Sequence, residues 1–155
     1  MKIIPLLISL SLILNESPSR FIKNKNFEGY VFSDSEKLEF NSEISNNRFT
    51  PTNEEIILTE NILKSDLFNL NKDRLNQVKS CPIIDKNLKK YIRQYLGYYV
   101  NGEKVIWINF LWKKEKIDNI NKKIIIVSDG CSYYWNVKVN ISKHKLYDLL
   151  INGIC

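Results

Sequence analysis

Apolar and polar residues recur along this chain with two different periods. Ile56, Ile57, Leu63, Leu67 and Leu70 follow a near-helical spacing. The segment Pro51-Thr52-Asn53-Glu54-Glu55 precedes them. Thr52 is placed to cap the helix, with Glu55 three residues on completing a capping box and two acids in the electropositive first turn. Glu60 interrupts the apolar face, and fraying is expected between Asp66 and Asn71. Residues 71–87 read as a connection, with Cys81-Pro82 forcing an extended step.

The period then shortens. Two turn signals, Asn101-Gly102 and Asp129-Gly130, sit between runs rich in β-branched and aromatic residues. Such dipeptides accept positive φ, which tight hairpins require. Residues 88–100 fit either a helical face or a strand. The tyrosine content and the turn immediately after favour strand. In the partner strand Ile106, Ile108, Phe110 and Trp112 form an apolar even set. A three-residue loop, Val100-Asn101-Gly102, would oppose Leu96 to Ile106 and Ile92 to Phe110 on the core face. Tyr95 would then face Trp107, and Arg93 would face Asn109, on the other.

A two-residue Asp129-Gly130 turn sets Ile126 opposite Tyr133 and Ile124 opposite Trp135. The core then continues through Val137, Val139 and Ile141, leaving Tyr134, Asn136, Lys138 and Asn140 on the second face. The run Ile124-Ile125-Ile126-Val127 is apolar on both sides, as in strands covered on both faces. Part of the second face should therefore be covered. Ser142 would cap a short C-terminal helix, with Leu146, Leu149 and Leu150 inward and Gly153 ending it. The expected fold is α+β: a helix on a four-stranded antiparallel meander, closed by that short helix.

The amino-terminal third carries less pattern. Lys2 precedes an apolar run from Ile3 to Leu14, the signature of a secretory signal peptide. It is shorter than the about 20 residues a membrane span needs. Pro5 and the switch to Asn15-Glu16-Ser17-Pro18 argue against a buried strand or helix. The expected organisation is a leader over 1–19 cleaved between Ser11 and Ser19, a polar arm over 20–50, and one domain over 51–155. The arm has one apolar island, Tyr30-Val31-Phe32, which could supply an edge strand. Export places the chain in the periplasm or outside the cell, and no later segment is apolar enough to span a membrane.

The formal charge is +6, mostly from lysines scattered among asparagines. The four arginines, Arg20, Arg48, Arg74 and Arg93, are dispersed, so nucleic acid is disfavoured as a partner. Three cysteines, Cys81, Cys131 and Cys155, allow one bridge and one orphan, or no bridge. If exposed, Cys155 could link two chains. No cysteine pair has metal-ligand spacing and His144 is the single histidine, so neither a metal nor another cofactor is expected.

The best candidate ligand site is a second-face cluster: Arg93, Tyr95, Trp107, Asn109, Tyr134 and Asn136. Broad rings, a planar cation and amide donors are what binding surfaces favour. They would suit a protein, a peptide or a saccharide. The plainer reading is cross-strand pairing, which stabilises sheets by roughly 0.2–1 kcal/mol per pair. No catalytic constellation emerges. Cys131 and His144 could serve as nucleophile and base, but the expected strand holds them about 30 Å apart. Phosphate-loop, HExxH and GxSxG signatures are absent.

The stretches Tyr91–Tyr98, Trp107–Phe110, Val127–Val137 and Asn152-Gly153 resemble a family of small, uncharacterised exported bacterial proteins. The likeness covers about the second half of the chain and brings no activity with it. Helix followed by meander is also similar to cystatin-like and NTF2-like architecture, by analogy alone. The Gln-x-Val-x-Gly loop of cystatins is missing. The expected function is an exported, non-catalytic binding domain using the aromatic and polar sheet face. The alternatives are an inhibitor or immunity-type partner acting through the hairpin tips at 100–103 and 128–132, and then a small hydrolase.

Overall fold

The computed structural model describes residues 18–36, 47–78 and 80–153. Residues 1–17 of the predicted leader (1–19) and a Cys155-linked dimer therefore lie outside the described residues. The described residues form an α+β fold with one mixed sheet. Its strands are β1 (Ser19–Lys23), β2 (Glu28–Phe32), β3 (Arg48–Phe49), β4 (Tyr91–Val100), β5 (Glu103–Trp112), β6 (Tyr134–Asn140) and β7 (Lys145–Ile151). The order across the sheet is β1-β2-β4-β5-β6-β7, with β3 continuing beside β4 where β2 stops. The expected four-stranded antiparallel meander is thus too small, and one pairing is parallel. β2 runs parallel to β4, which requires a crossover, and helix α1 (Asn53–Leu70) lies in it.

Three strands come from the segment expected to be an irregular arm. Its apolar island forms most of β2, and the close approach of β2 to β4 depends on Gly29. A Cβ there would collide with the Arg93 carbonyl and with the Tyr95 ring 2.9 Å away. β1 starts at Ser19, the far end of the predicted cleavage window, and the Ser19 hydroxyl donates to the Asn121 carbonyl at 2.6 Å.

Helix α1 starts where the sequence places it. Thr52 caps it, its hydroxyl accepting from the Glu55 amide while the Glu55 carboxylate accepts from the Thr52 amide. Glu55 also pairs with Lys104 at 2.6 Å, tying the first turn to β5. Ile56, Leu63 and Leu67 are buried, whereas Ile57 and Leu70 are exposed. The helix runs to Leu70 without fraying earlier. A connection then leads through a one-turn helix, α2 (Ile84–Asn87), into β4.

The first hairpin corrects the expected register. Asn101 (φ 51°) and Gly102 (φ 79°) form a two-residue turn with both φ positive, so no bulge is needed. Val100 pairs with Glu103, Leu96 with Trp107, Tyr95 with Ile108 and Arg93 with Phe110. Odd positions of β4 thus share a face with even positions of β5. The three-residue loop would set Leu96 and Ile92 on the core face with the even residues of β5, but the protein places Arg93 and Tyr95 there instead.

The second predicted hairpin does not form. Residues 124–127 are irregular, and β6 pairs with β5 directly. Gly130 (φ 92°) leads into a 3-10 turn, Cys131–Tyr133. Cys131 bridges to Cys81 with the Cα atoms 6.2 Å apart. It is one half of a link across 50 residues, and not simply a small corner residue.

The expected C-terminal helix is strand β7. His144 (φ 51°) lies just before it, and a bulge at Asp148 (φ 50°) places one extra residue opposite β6. That extra residue explains the misleading three-residue spacing of Leu146 and Leu149. Leu146 and Ile151 reach the main core, while Leu150 is exposed.

Candidate functional site

The register divides the six candidate residues between two faces. Arg93 and Tyr95 lie on the face covered by α1, while Trp107, Asn109, Tyr134 and Asn136 lie on the other. The expected cluster is therefore not assembled. Five of the six are buried, and Asn136 is half-buried.

The second face is covered, as the apolar 124–127 run implied, but by an irregular segment and not by a further layer of secondary structure. Gln94 and Asn109 are opposite each other on β4 and β5. Asn109 Nδ2 donates to Gln94 Oε1 at 3.1 Å and to the Ile125 carbonyl at 2.7 Å. Gln94 Nε2 donates to the carbonyls of Ile120 (2.7 Å) and Lys123 (2.8 Å), and its Oε1 accepts from the Ile125 amide at 3.0 Å. Two mid-sheet amides thus satisfy the backbone of a segment that has no ladder of its own. Trp107 Nε1 donates to Asn136 Oδ1 at 3.1 Å, and the Tyr134 hydroxyl donates to Glu115 at the start of the cover. Trp107 also belongs to a small apolar cluster with Phe32, Leu96, Tyr98 and Val105.

The α1 face holds a different arrangement. Glu60 occupies the middle of the buried stripe of α1, between Ile56 and Leu63. Its Oε1 accepts from Arg93 Nε at 2.8 Å and from the Tyr95 hydroxyl at 2.8 Å. Arg93 Nη1 donates to the Tyr91 carbonyl at 2.9 Å. The guanidinium sits over the rings of Phe110 (5.2 Å) and Phe27 (5.9 Å). Burial, and then the negative charge of Glu60, push the Tyr95 hydroxyl well above its ordinary pKa, which keeps it a proton donor. Burial likewise raises Tyr91, whose hydroxyl donates to the Ser132 carbonyl at 2.6 Å.

This ion pair forms part of the wall of a pocket of about 350 Å³. Asn24, Asn26 and Phe27 contribute from the β1–β2 turn. Ile57, Asn61 and Lys64 contribute from α1, and Asp85, Leu88 and Lys89 from α2 and the 3-10 turn after it. Apart from Arg93, none of these lining residues belonged to the sequence candidates. The available signal was Glu60, a carboxylate at a core position of an amphipathic helix, which calls for a buried cationic partner.

The remaining chemistry is sparse. The disulfide removes Cys131 as a nucleophile. Among the described residues no group of three or more His, Cys, Asp or Glu side chains gathers as metal ligands. No described helix is long and apolar enough to cross a membrane. The Asn101-Gly102 turn is an exposed tip, but 128–132 is not a hairpin tip. There, the Asn152 side chain donates to the Val127 and Asp129 carbonyls, and the Cys131 amide donates to the Gly153 carbonyl. Comparison with protein-family models, curated proteins and solved structures returns no match to this chain.

Proposed function

We propose that this chain is an exported, non-catalytic binding domain whose ligand site is the pocket beside Arg93 and Glu60. One observation carries the reading: a pocket of about 350 Å³ has a buried ion pair in its wall and faces contributed by three separate elements. That volume lies within the range of small-molecule sites, and the wall sets fixed polar groups beside the apolar Phe27, Ile57 and Leu88, which together can orient a ligand. Arg93 is kept from the original candidate set. Trp107, Asn109, Tyr134 and Asn136 are better explained as supports of the 113–130 cover. Export is supported by the apolar leader after Lys2 and by the Cys81–Cys131 bridge, which suits an oxidising compartment.

The test is a backbone NMR titration of the mature chain with a panel of mono- and oligosaccharides, amino acids and dipeptides, with product formation monitored alongside. The expected result is saturable shifts at Phe27, Leu88 and Lys89 with every compound recovered unchanged. Shifts confined to Asn101 and Gly102 with a protein partner would favour the inhibitor-type reading instead. Turnover of any compound would make it an enzyme.

A further inference from the structure

The charges lining the pocket are not equally committed. Both of its carboxylates already have partners: Glu60 holds Arg93 and Tyr95, and Asp85 Oδ1 accepts from Asn71 Nδ2 at 2.6 Å. Its cations are less occupied. Lys64 and Lys89 are exposed and make no ion pair among the described residues. Arg93 is 1% exposed and spends Nε and Nη1 on Glu60 and the Tyr91 carbonyl; no described residue bonds to its Nη2. One of the three lining amides leans the same way. Asn24 Oδ1 already accepts from the backbone amides of Asn26 and Phe27, so what Asn24 has left to offer is its NH₂. The uncommitted groups are therefore mainly donors and cations.

Resting on the binding role proposed above, we infer that the ligand is a carboxylate-bearing saccharide, of the uronic-acid type. Its carboxylate would sit between Lys64 and Lys89, where two ammonium groups lack counter-ions. Its hydroxyls would accept from the asparagine amides at the pocket edge. One apolar face of its ring would rest on Ile57 and Leu88. A cationic ligand finds one carboxylate without an ion pair, Asp85, against two such ammonium groups, and a purely apolar ligand would leave these donors unpaired.

The test is titration calorimetry of the mature chain with trigalacturonate, with neutral maltotriose and inorganic phosphate as comparisons. It is repeated on the variant carrying Lys64→Gln and Lys89→Gln. Both lysines are exposed, so the variant should keep the thermal midpoint of the parent. The expected result is binding of trigalacturonate that weakens with added salt and falls about tenfold or more in the variant. Maltotriose and phosphate should bind far less tightly.

Equal binding of maltotriose would overturn the inference of an acidic ligand while leaving the pocket a binding site. Equal binding of phosphate would overturn the saccharide part. Binding of trigalacturonate unchanged in the variant would overturn the site. Absence of binding by all three overturns this inference alone if the NMR panel still shifts Phe27 and Leu88, and both proposals if it does not.

Discussion

The two faces of this sheet are closed by opposite means. On one, a long helix brings apolar side chains and one buried charge, Glu60, to Arg93 and Tyr95 in the sheet. On the other, an irregular segment is held by Gln94 and Asn109, which use amide groups against its backbone. A helix satisfies its own backbone and has only side chains to bury, so charge complementarity can position it. A segment without a ladder must have its peptide groups satisfied from outside, and amides, which both donate and accept, suit that task. The six residues that looked like one polar surface are therefore parts of two unrelated packing solutions.

The largest expected effect tests the helix-covered side. Arg93→Ala leaves the Glu60 carboxylate buried without its cation, which should cost about 3–5 kcal/mol in urea unfolding. Changing Glu60→Met, Arg93→Met and Tyr95→Phe together should recover most of that loss, because apolar groups of similar volume replace the whole network. If the triple variant stays as unstable as the single one, the network contributes more than the packing it occupies.

Replacing both Cys81 and Cys131 by Ser tests the link between the 71–83 connection and the start of β6. A bridge closing about 50 residues should contribute about 2–4 kcal/mol. The loss should appear as a lower urea midpoint, equal to that of the reduced parent chain.

Next comes the loop-covered side. Gln94→Ala leaves the Asn109 amide, the Ile125 amide and two carbonyls short of partners, at a cost of about 1–3 kcal/mol. Because the segment can lift into water, the cost should fall near the lower end. Hydrogen exchange should then quicken over residues 117–127 while β4 and β5 keep their protection. Equal quickening of the two strands would mean that the cover belongs to the cooperative core and that the contrast between the faces is false.

Some of this architecture could be read from the residues. Thr52 and Glu55 fixed the start of α1 because a capping box is a local arrangement. The faces of β6 followed from plain alternation, with Trp135, Val137 and Val139 inward. What failed depended on partners distant in sequence. Arg93 looked like a surface residue because its neutralising group lies 33 positions away on the helix. Ile124 to Val127 looked like a strand because an apolar run has the same composition whether it pairs in a sheet or lies across one. Leu146 and Leu149 looked helical because a single bulged residue turns a period of two into a spacing of three, and the exposed Leu150 completed the pattern without sharing their face. The pocket was hidden for a related reason: its walls come from three segments, and only Glu60, a charge out of place, pointed to it.

The smallest effect concerns how the cover is anchored at its beginning. Lys113, just past the end of β5, pairs with Glu28 on β2 at 2.7 Å, and Lys23 reaches the same carboxylate at 3.2 Å. The Lys113 ammonium holds the Glu28 carboxyl below its ordinary value of 4.5. A depressed carboxylate stabilises the folded state above its unfolded pKa, and that contribution fades as pH falls through the folded value. The pair is largely solvated, so Lys113→Ala should cost less than about 1 kcal/mol at pH 7. The thermal midpoints of parent and variant should therefore differ slightly at pH 7, converge as pH falls below 4.5, and converge also in high salt at pH 7. A gap of equal size in acid would show that Lys113 acts through the packing of its methylene chain. The anchor of the cover would then be apolar, like the contacts of the opposite face, and the division between the two faces would rest on Gln94 and Asn109 alone.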